Sequence, residues 1–403
     1  MQPLLVIVIC LVAAYIISEL FKLIGLPRVV GQVTAGILLG TSVLRPYILD
    51  PTTSEYLAFL ANLGIILLFY YVGLETNFKA FKKNLKGSIL ISLFNTTLPL
   101  LIGFVLMRFA FGFSNLTSII IGISLSVSAQ SVSVDMLEEM KLLKSKIGNM
   151  IISAGAVDDI IELLLVTIIL SSFHFYAKKL ALTTLFLDVV IFLIFILLAR
   201  LLFVPYLLKL FDREHSSTAR FMGSMIIVLL IASLADYLGV GLFIGAMVAG
   251  MIVRQTIFKE VTIPDWEEHD IAKSTHIVAF GFLIPLFFVW IGINTDITTI
   301  LSNYPLILTF LAIAVIGTVG GTAIAVMLNK GTLKEGLTLG WGLNPKGDVE
   351  LVIAALALQH AIITQSMFTA LVAMSLLTTI ISPIMFSYSL KKFKFAGEKV
   401  KNK

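Results

Sequence analysis

Two adjacent carboxylates, Asp158 and Asp159, lie in the middle of an apolar stretch that runs from Ile147 to Ser171. The stretch is long enough to cross a bilayer as a helix, and an Asp at the centre of such a helix costs roughly 2.5–3.5 kcal/mol. Low-dielectric surroundings favour the neutral, protonated form of a carboxyl group, whereas a hard cation such as Na+ favours the ionised form. A proton and a cation would therefore compete for these acids. The sequence predicts a mid-membrane site that exchanges them; the alternative is a pair of structural carboxylates.

Polar residues interrupt a second apolar stretch, Ser118–Leu137. Ser128 lies at its centre, and we expect it to contribute to the ion site. Serine hydroxyls inside a span also form hydrogen bonds between helices. That structural role is the one we predict for the spare serines of the stretch, which are Ser124, Ser126, Ser131 and Ser133.

A third stretch, Leu333–Leu358, is interrupted more severely, by Asn344, Pro345, Lys346, Gly347, Asp348 and Glu350. Proline removes a backbone donor and clashes with the preceding turn, and glycine adds conformational freedom. The two interrupted stretches are the equivalent spans of an internal repeat, described below, so both are predicted to be broken helices, whose half-helix ends carry partial charges at membrane depth. Lys346 and Asp348 either neutralise those ends or bind the ion directly.

Two further acids accompany these groups. Glu162 lies one helical turn after Asp158 and on its face, and Glu350 follows Asp348 by two residues. The simplest interpretation of both glutamates is an internal brace against Lys346 or Arg200. The five histidines show no ligand spacing, and Cys10 is the only cysteine, so no transition-metal site, disulfide or cofactor is expected.

The composition is that of an integral membrane protein: 58% of the 403 residues are apolar and 13% are charged, with a mean hydropathy of +1.02. Soluble domains carry nearer a quarter charged residues. Hydropathy predicts an all-α protein of about thirteen membrane spans. They are Pro3–Leu23, Val29–Val43, Tyr56–Leu74, Gly87–Phe109, Ser118–Leu137, Ile147–Ser171, Leu182–Leu208, Ala219–Tyr237, Val240–Val253, Ala272–Ile293, Pro305–Leu328, Leu333–Leu358 and Ile363–Leu390.

The basic residues predict the orientation. If the N-terminus is outside, 23 of the 29 Lys and Arg residues fall on the cytoplasmic side and 4 on the outer side, with Arg200 and Lys346 inside spans. Short cytoplasmic loops carry an excess of Lys and Arg, so the chain is predicted to be N-out and C-in, in the plasma membrane. The pI of about 9.1 is explained by these loops, and no nucleic-acid partner is expected.

The chain contains an internal repeat. Gly36, Gly73 and Gly122 lie in similar local sequences to Gly250, Gly292 and Gly340, at offsets of 214, 219 and 218 residues. The matching spans lie seven apart, an odd number, so the two copies cross the membrane in opposite directions. Inverted repeats are typical of secondary transporters, whose substrate site lies near the midplane between the copies.

Five segments together resemble the bacterial cation:proton antiporters of the NapA and Kef type, which have the NhaA-like fold. These segments read LPRVVGQVTAGILLG, LLFYYVGLETN, SVSAQSVSVDMLEEM, AGAVDDIIELLLV and GLNPKGDVELVIA. The resemblance covers essentially the whole chain and implies a homodimer with elevator-type alternating access. It implies a single membrane domain with a scaffold at about 1–78 and 217–300, a transport core at about 86–173 and 303–391, and a linker helix at about 180–210. Residues 392–403 form a short basic tail.

The resemblance also implies roles for individual residues. Asp158 and Asp159 match the paired acids of the sodium-type members, Ser128 matches the Thr beside the unwound part of span five, and Lys346 and Asp348 match a basic–acidic pair. Thr318 stands where electrogenic members carry a Lys, so the charge moved per cycle is open. The implied function is pH homeostasis by exchange of protons for Na+ or Li+, with K+ as the alternative cation.

Three competing functions are distinguishable. An intramembrane aspartyl protease needs two carboxylates that face each other across two helices, whereas consecutive residues on one helix point about 100° apart. Proton flux evoked by a cation separates an exchanger from a channel or sensor on the same scaffold. Cation-coupled solute symport requires a co-substrate in addition to the cation site.

Overall fold

The structure is a computed structural model that describes residues 2–75, 85–140, 142–143, 145–155, 157–158, 161–162, 165, 191, 194–211, 216–238, 240–257 and 269–393. Within these ranges all regular structure is helical. Asp159, residues 166–190, which include the first part of the predicted linker helix, and the tail from residue 394 lie outside the described residues.

The helices follow the apolar stretches of the sequence. In chain order they are α1 (Pro3–Leu23), α2 (Arg28–Leu39), α3 (Pro51–Glu75), α4 (Leu85–Val105), α5 (Asn115–Ser126), α6 (Gln130–Glu139), α7 (Val204–Phe211), α8 (Ser217–Tyr237), α9 (Leu242–Ile257), α10 (Asp270–Ile293), α11 (Tyr304–Leu328), α12 (Leu333–Leu343), α13 (Val349–Gln359) and α14 (Gln365–Lys392). The stretch that carries Asp158 is helical at 146–155, 157–158 and 161–162.

Several of these helices contain or adjoin irregular turns. A π turn follows α4 (Leu106–Ala110), another precedes α7 (Ala199–Phe203), and a third lies inside α10 (Ala279–Leu283). Two short helices, Arg45–Ile48 and Ile297–Ser302, lie between longer ones.

Eight helices in the described part of the chain are long and apolar enough to cross a membrane. Four shorter apolar helices accompany them, which are α2, α5, α9 and α13. The second and ninth predicted spans are thus short, as their sequences indicate. The full number of thirteen spans and the N-out orientation stay predictions.

The chain divides into two compact units. One is drawn from Met1–Leu11, Tyr47–Asn77 and Val166–Trp290, and the other from Val12–Pro46, Phe78–Leu165 and Ile291–Lys403. The second unit contains α4, both interrupted stretches, α11, α14 and the described ionisable residues of the candidate site. The predicted division into scaffold and core stays a prediction.

Both predicted helix breaks are present. The first separates α5 from α6 at Val127–Ala129, and the second separates α12 from α13 at Asn344–Asp348. The two breaks meet, because the Ala129 backbone N–H donates to the Pro345 carbonyl over 2.8 Å. The free backbone groups of one interrupted helix are thus partly satisfied by the other.

Close glycine contacts repeat in the two halves of the sequence. A Cβ added at Gly73 of α3 would meet the backbone of Gly250 of α9, and one added at Gly292 of α10 would meet the backbone of Gly36 of α2. The internal repeat pairs Gly36 with Gly250 and Gly73 with Gly292, so each contact is the counterpart of the other. This agreement supports the repeat.

A second pair of contacts follows the same rule. Gly122 of α5 packs against the backbone of Leu100 in α4, and Gly340 of α12 packs against the backbone of Val319 in α11. Gly122 and Gly340 are 218 residues apart in the sequence, and Leu100 and Val319 are 219 residues apart. Side chains at these glycines would push the helices apart, because interiors are packed with few voids.

Candidate functional site

Asp158 is buried, with 2% of its surface exposed, and accepts hydrogen bonds from three side chains of α4. Ser92 Oγ donates to Oδ1 over 2.9 Å, Thr96 Oγ1 donates to Oδ1 over 2.5 Å, and Asn95 Nδ2 donates to Oδ2 over 2.7 Å. Positions 92, 95 and 96 share one face of α4 because they are three and four residues apart. Hydrogen bonds to an ionised carboxylate are the strong ones, so this face holds Asp158 in one orientation and stabilises its charge.

Ser128 links Asp158 to the helix breaks. Asn95 Nδ2 also donates to Ser128 Oγ over 3.4 Å, and Ser128 lies in the first break, between α5 and α6. The other amide atom of this asparagine, Asn95 Oδ1, is buried without a hydrogen-bond partner in the described part of the chain. Carboxylate, amide and hydroxyl oxygens therefore lie together here, and these are the ligands that hard cations prefer.

Lys346 is fully buried in the second break. Its ammonium donates to the Ser126 carbonyl over 3.1 Å, to Ser128 Oγ over 3.4 Å and to Thr318 Oγ1 over 3.4 Å. Ser126 is the last residue of α5, so the ammonium lies at the negative end of that half-helix. Lys346 thus neutralises a helix end, as its place in the sequence suggested.

Glu162 serves the opposite end of the same break. Its Oε1 accepts the backbone N–H of Ser128, which lies two residues before the start of α6. A carboxylate is favoured there because a helix N-terminus carries partial positive charge. Glu162 and Lys346 therefore stabilise the two sides of the first break.

The second break is held by its own acids. Asp348 is the N-cap of α13, and its Oδ1 accepts the Val349 backbone N–H over 2.8 Å. Glu350, which is fully buried, accepts the Asp348 backbone N–H over 3.2 Å and the Ser375 hydroxyl over 2.9 Å. Both acids therefore stabilise the backbone of the break, in addition to any role towards an ion.

A polar face of α14 supports the same break. Asn344 Nδ2 donates to Ser382 Oγ over 2.9 Å, and Thr379 Oγ1 donates to the Lys346 carbonyl. Ser375, Thr379 and Ser382 occupy positions i, i+4 and i+7 on one side of α14. This face satisfies backbone and side-chain groups that the interrupted helix leaves free.

Among the described residues, the buried charges of this site do not balance. Asp158, Glu162, Lys346 and Glu350 are each no more than 5% exposed. One ammonium thus faces three carboxyl groups, which would carry a net charge of −2 if all were ionised. An uncompensated charge in an apolar interior costs many kcal/mol, so the cluster must bind protons or cations. Exchanging one for the other preserves the balance, and this is the chemistry that the arrangement suits.

One sequence-based expectation has a different outcome. The prediction that the spare serines bond between helices is wrong where it can be checked, since Ser126 and Ser133 donate to carbonyls of their own helices. The hydroxyl of Ser124 has no hydrogen-bond partner among the described residues. Ser131 and Asp159 cannot be compared, because the Ser131 side chain and the whole of Asp159 lie outside the described part.

The sequence analysis missed the residues that contact Asp158 and support the second break, which are Ser92, Asn95, Thr96, Ser375, Thr379 and Ser382. Their signal was present as polar residues at helical spacing inside apolar spans four and thirteen. Their partners were not evident, because Asp158 is 62 to 66 residues away from those on α4.

Comparisons with known proteins agree with this arrangement. The sequence profile of the family described as "Sodium/hydrogen exchanger, transmembrane" matches residues 6–392. A Na(+)/H(+) antiporter of Enterococcus hirae is 30% identical over 386 residues, which cover 95% of this chain and 96% of that protein. The Na(+)/H(+)-K(+) antiporter GerN of Bacillus cereus is 28% identical over 383 residues, which cover 95% of each.

A solved structure has the same fold. The sodium proton antiporter MjNhaP1 of Methanocaldococcus jannaschii superposes with a TM-score of 0.68 and 14% sequence identity. The match covers 98% of this chain and 99% of that one.

Proposed function

The chain belongs to the sodium/hydrogen exchanger family, and we propose that it exchanges protons for a monovalent cation at Asp158 and Asp159. Na+ or Li+ is the cation we favour and K+ is the alternative, since the similar antiporters are named for Na+ and, in one case, also for K+. The observation that carries the proposal is the charge imbalance around Lys346, where one buried ammonium faces three buried carboxyl groups.

Asp158 is the group that alternates. In the proton-loaded state its carboxyl group is neutral; in the cation-loaded state it is ionised, and the hydrogen bonds from Ser92, Asn95 and Thr96 stabilise it. Asn95 Oδ1 and Ser128 Oγ are the neighbouring oxygens that would bind the cation. Asp159 is included on the sequence alone, as the second acid of the pair.

Lys346, Glu162, Asp348 and Glu350 act as supports in this proposal. They hold the backbone of the two breaks, so the site keeps its shape when Asp158 changes charge. Lys346 stays bonded to the Ser126 carbonyl and lowers the electrostatic cost of ionising the acids. Their contacts with backbone groups favour this role over direct binding of the ion.

We further propose that the predicted transport core, at about 86–173 and 303–391, is the moving part in elevator-type alternating access, in a homodimer embedded in the plasma membrane. If only a loaded site crosses, exchange is obligatory and no second pathway is needed. The inverted repeat and the short interrupted helices support this mechanism, because they are typical of alternating-access transporters.

The test is transport by the purified protein in liposomes that contain a pH-sensitive dye. External Na+, Li+ or K+ is expected to drive protons out of the lumen, while choline is not. Asp158→Asn and Asp159→Asn are each expected to abolish this flux. Asp50→Asn is the control, because it removes the same charge at a turn before α3, outside the spans.

An imposed potential determines the stoichiometry. Moving one net charge is worth about 2.3 kcal/mol per 100 mV, so a one-for-one cycle ignores voltage and a two-for-one cycle responds to it. Wild-type flux in either Asn variant would contradict the proposed site. Cation conductance without proton movement would indicate a channel instead.

A further inference from the structure

A cavity of about 890 Å³ lies apart from the residues that hold Asp158. It is enclosed by the end of α1, the turn that leads into α2, one side of α6 and the last turns of α14. Val132 and Met136 of α6 line it and are buried, with 4% of each exposed. The volume is in the range of cavities that hold small organic ligands.

The charged residues of this cavity are mainly basic. Among the described residues, Lys22, Arg28 and Lys391 line it, together with one acid, Glu138. Arg28 is bonded to Glu19 over 2.8 Å, whereas Lys22 and Lys391 have no ion-pair partner within the described part of the chain. A cleft lined by one sign of charge concentrates ligands of the opposite sign, so this cavity attracts an anion.

Apolar side chains beside the basic residues show what kind of anion fits. Leu23 and Ile24, at the end of α1, are 83% and 70% exposed, and Ile384, which lines the cavity, is 61% exposed. A small soluble anion would leave these apolar side chains uncovered. An amphipathic anion would cover them with its apolar chain while its charged group reaches the lysines.

The position along the chain favours a lipid as the source of this anion. Lys22 and Lys391 lie at the ends of α1 and α14, on the side of the membrane where the sequence collects most of its Lys and Arg. Basic pockets between spans on the cytoplasmic side suit the headgroups of anionic lipids.

We propose that this cavity binds an anionic phospholipid, with its phosphate between Lys22 and Lys391 and an acyl chain along Ile384 and Leu23. The bound lipid contacts α6, which begins two residues after Ser128, and α14, which supports the second helix break. Its binding therefore connects the lipid composition of the membrane to the helices that surround the exchange site.

The experiment measures lipid retention, without any ion gradient. Wild-type protein is reconstituted in mixed phosphatidylglycerol and phosphatidylcholine vesicles of identical acyl chains, re-extracted in detergent, and its bound lipid is quantified by native mass spectrometry. We expect preferential retention of phosphatidylglycerol. In the double variant Lys22→Gln/Lys391→Gln, the preference for phosphatidylglycerol over phosphatidylcholine is expected to fall about thirtyfold, because the attraction of two lysines to the anionic lipid is lost.

Two further variants make the result specific. Lys330→Gln/Lys334→Gln removes two other lysines of the same predicted side and is expected to retain the lipid as the wild type does. Ser387→Trp fills the cavity without changing its charge and is expected to lose the lipid. A thermal melt of each variant identifies any that fails to fold.

Three outcomes would overturn the proposal. The first is that the Lys22→Gln/Lys391→Gln variant retains as much phosphatidylglycerol as the wild type. The second is that the wild type retains phosphatidylcholine as well as phosphatidylglycerol. The third is that excess inorganic phosphate displaces the lipid, which would make this a site for a soluble anion. Cation-evoked proton flux, measured on the same preparations, tests the exchange function separately, so either proposal can fail alone.

Discussion

The hydrogen bond from Thr96 to Asp158 makes the exchange mechanism testable by a single methyl-for-hydroxyl change. Thr96 Oγ1 donates to Asp158 Oδ1, and both side chains are buried. Thr96→Val keeps the shape of the side chain and removes the donor. Because the bond is strongest when Asp158 is ionised, its loss favours the protonated form and so opposes cation binding.

The magnitude follows from the strength of such a bond. A hydrogen bond to a charged group contributes about 1.5–3 kcal/mol, and 1.36 kcal/mol corresponds to one pH unit. Ser92 and Asn95 still donate to the carboxylate, so we expect the lower end of this range. The acidic limb of the transport pH profile should move to higher pH by about one unit. At pH values on the acidic side of that limb, the half-saturating cation concentration should rise about tenfold.

The assay is cation-evoked proton flux in liposomes, measured from acidic to alkaline pH. Thr97→Val is the matched control, because this neighbouring threonine donates to the Leu93 carbonyl of its own helix and makes no contact with Asp158. Its profile should equal that of the wild type. Identical profiles for Thr96→Val and Thr97→Val would refute the assignment of Asp158 as the group that releases the proton.

Three other predictions test the supporting residues. Lys346→Gln removes the one ammonium that the described residues place among three buried carboxyl groups, and it should lower the melting temperature markedly, since breaking a buried charge pair costs about 3–5 kcal/mol. The exposed Lys209→Gln is the control, and equal melting of the two variants would contradict the role of Lys346. Thr318→Ala should retain most transport, because its hydroxyl contributes only a 3.4 Å contact with Lys346, and complete loss would identify Thr318 as a ligand. Hydrogen bonds from Thr298 and Thr299 hold the pKa of Asp296, which lies between spans, below its ordinary value of 3.8. The ionised Asp296 therefore stabilises the fold above that pH and loses this contribution as the pH falls through its lowered pKa, so Asp296→Ala should melt earlier than the wild type at neutral pH, and the difference should shrink as the pH falls below 3.8. A difference that stays constant on acidification would contradict this prediction.

Much of the fold could be predicted from local sequence. Apolar length predicts spans because a backbone in lipid must satisfy its hydrogen bonds within each helix. Pro345 predicts the second break, since proline lacks the N–H and its ring clashes with the preceding turn. The glycine offsets predict the inverted repeat, and the packing of Gly73 on Gly250 and of Gly292 on Gly36 is consistent with it.

The candidate site could be predicted only in part. Two acids in an apolar stretch indicate an ion site, because their desolvation requires a compensating ligand. The sequence did not indicate which neighbours orient Asp158, although Ser92, Asn95 and Thr96 have the spacing of one helix face. Polar residues at such spacing bond to neighbouring helices of any kind, and the pattern names no partner.

The sequence by itself determined the positions of the apolar helices, the break at Pro345 and the presence of acids that need a proton or a cation when they are buried in the membrane. Each of these features depends on the properties of one segment. The first break was different, since no proline occurs near Val127–Ala129. There, Glu162 accepts a hydrogen bond from the Ser128 N–H, and Lys346, which is 220 residues from Ser126 in the sequence, donates one to the Ser126 carbonyl. These two hydrogen bonds stabilise the break. Such contacts arise only when distant helices pack together, so the charge balance that underlies the proposed exchange was decided by the tertiary structure.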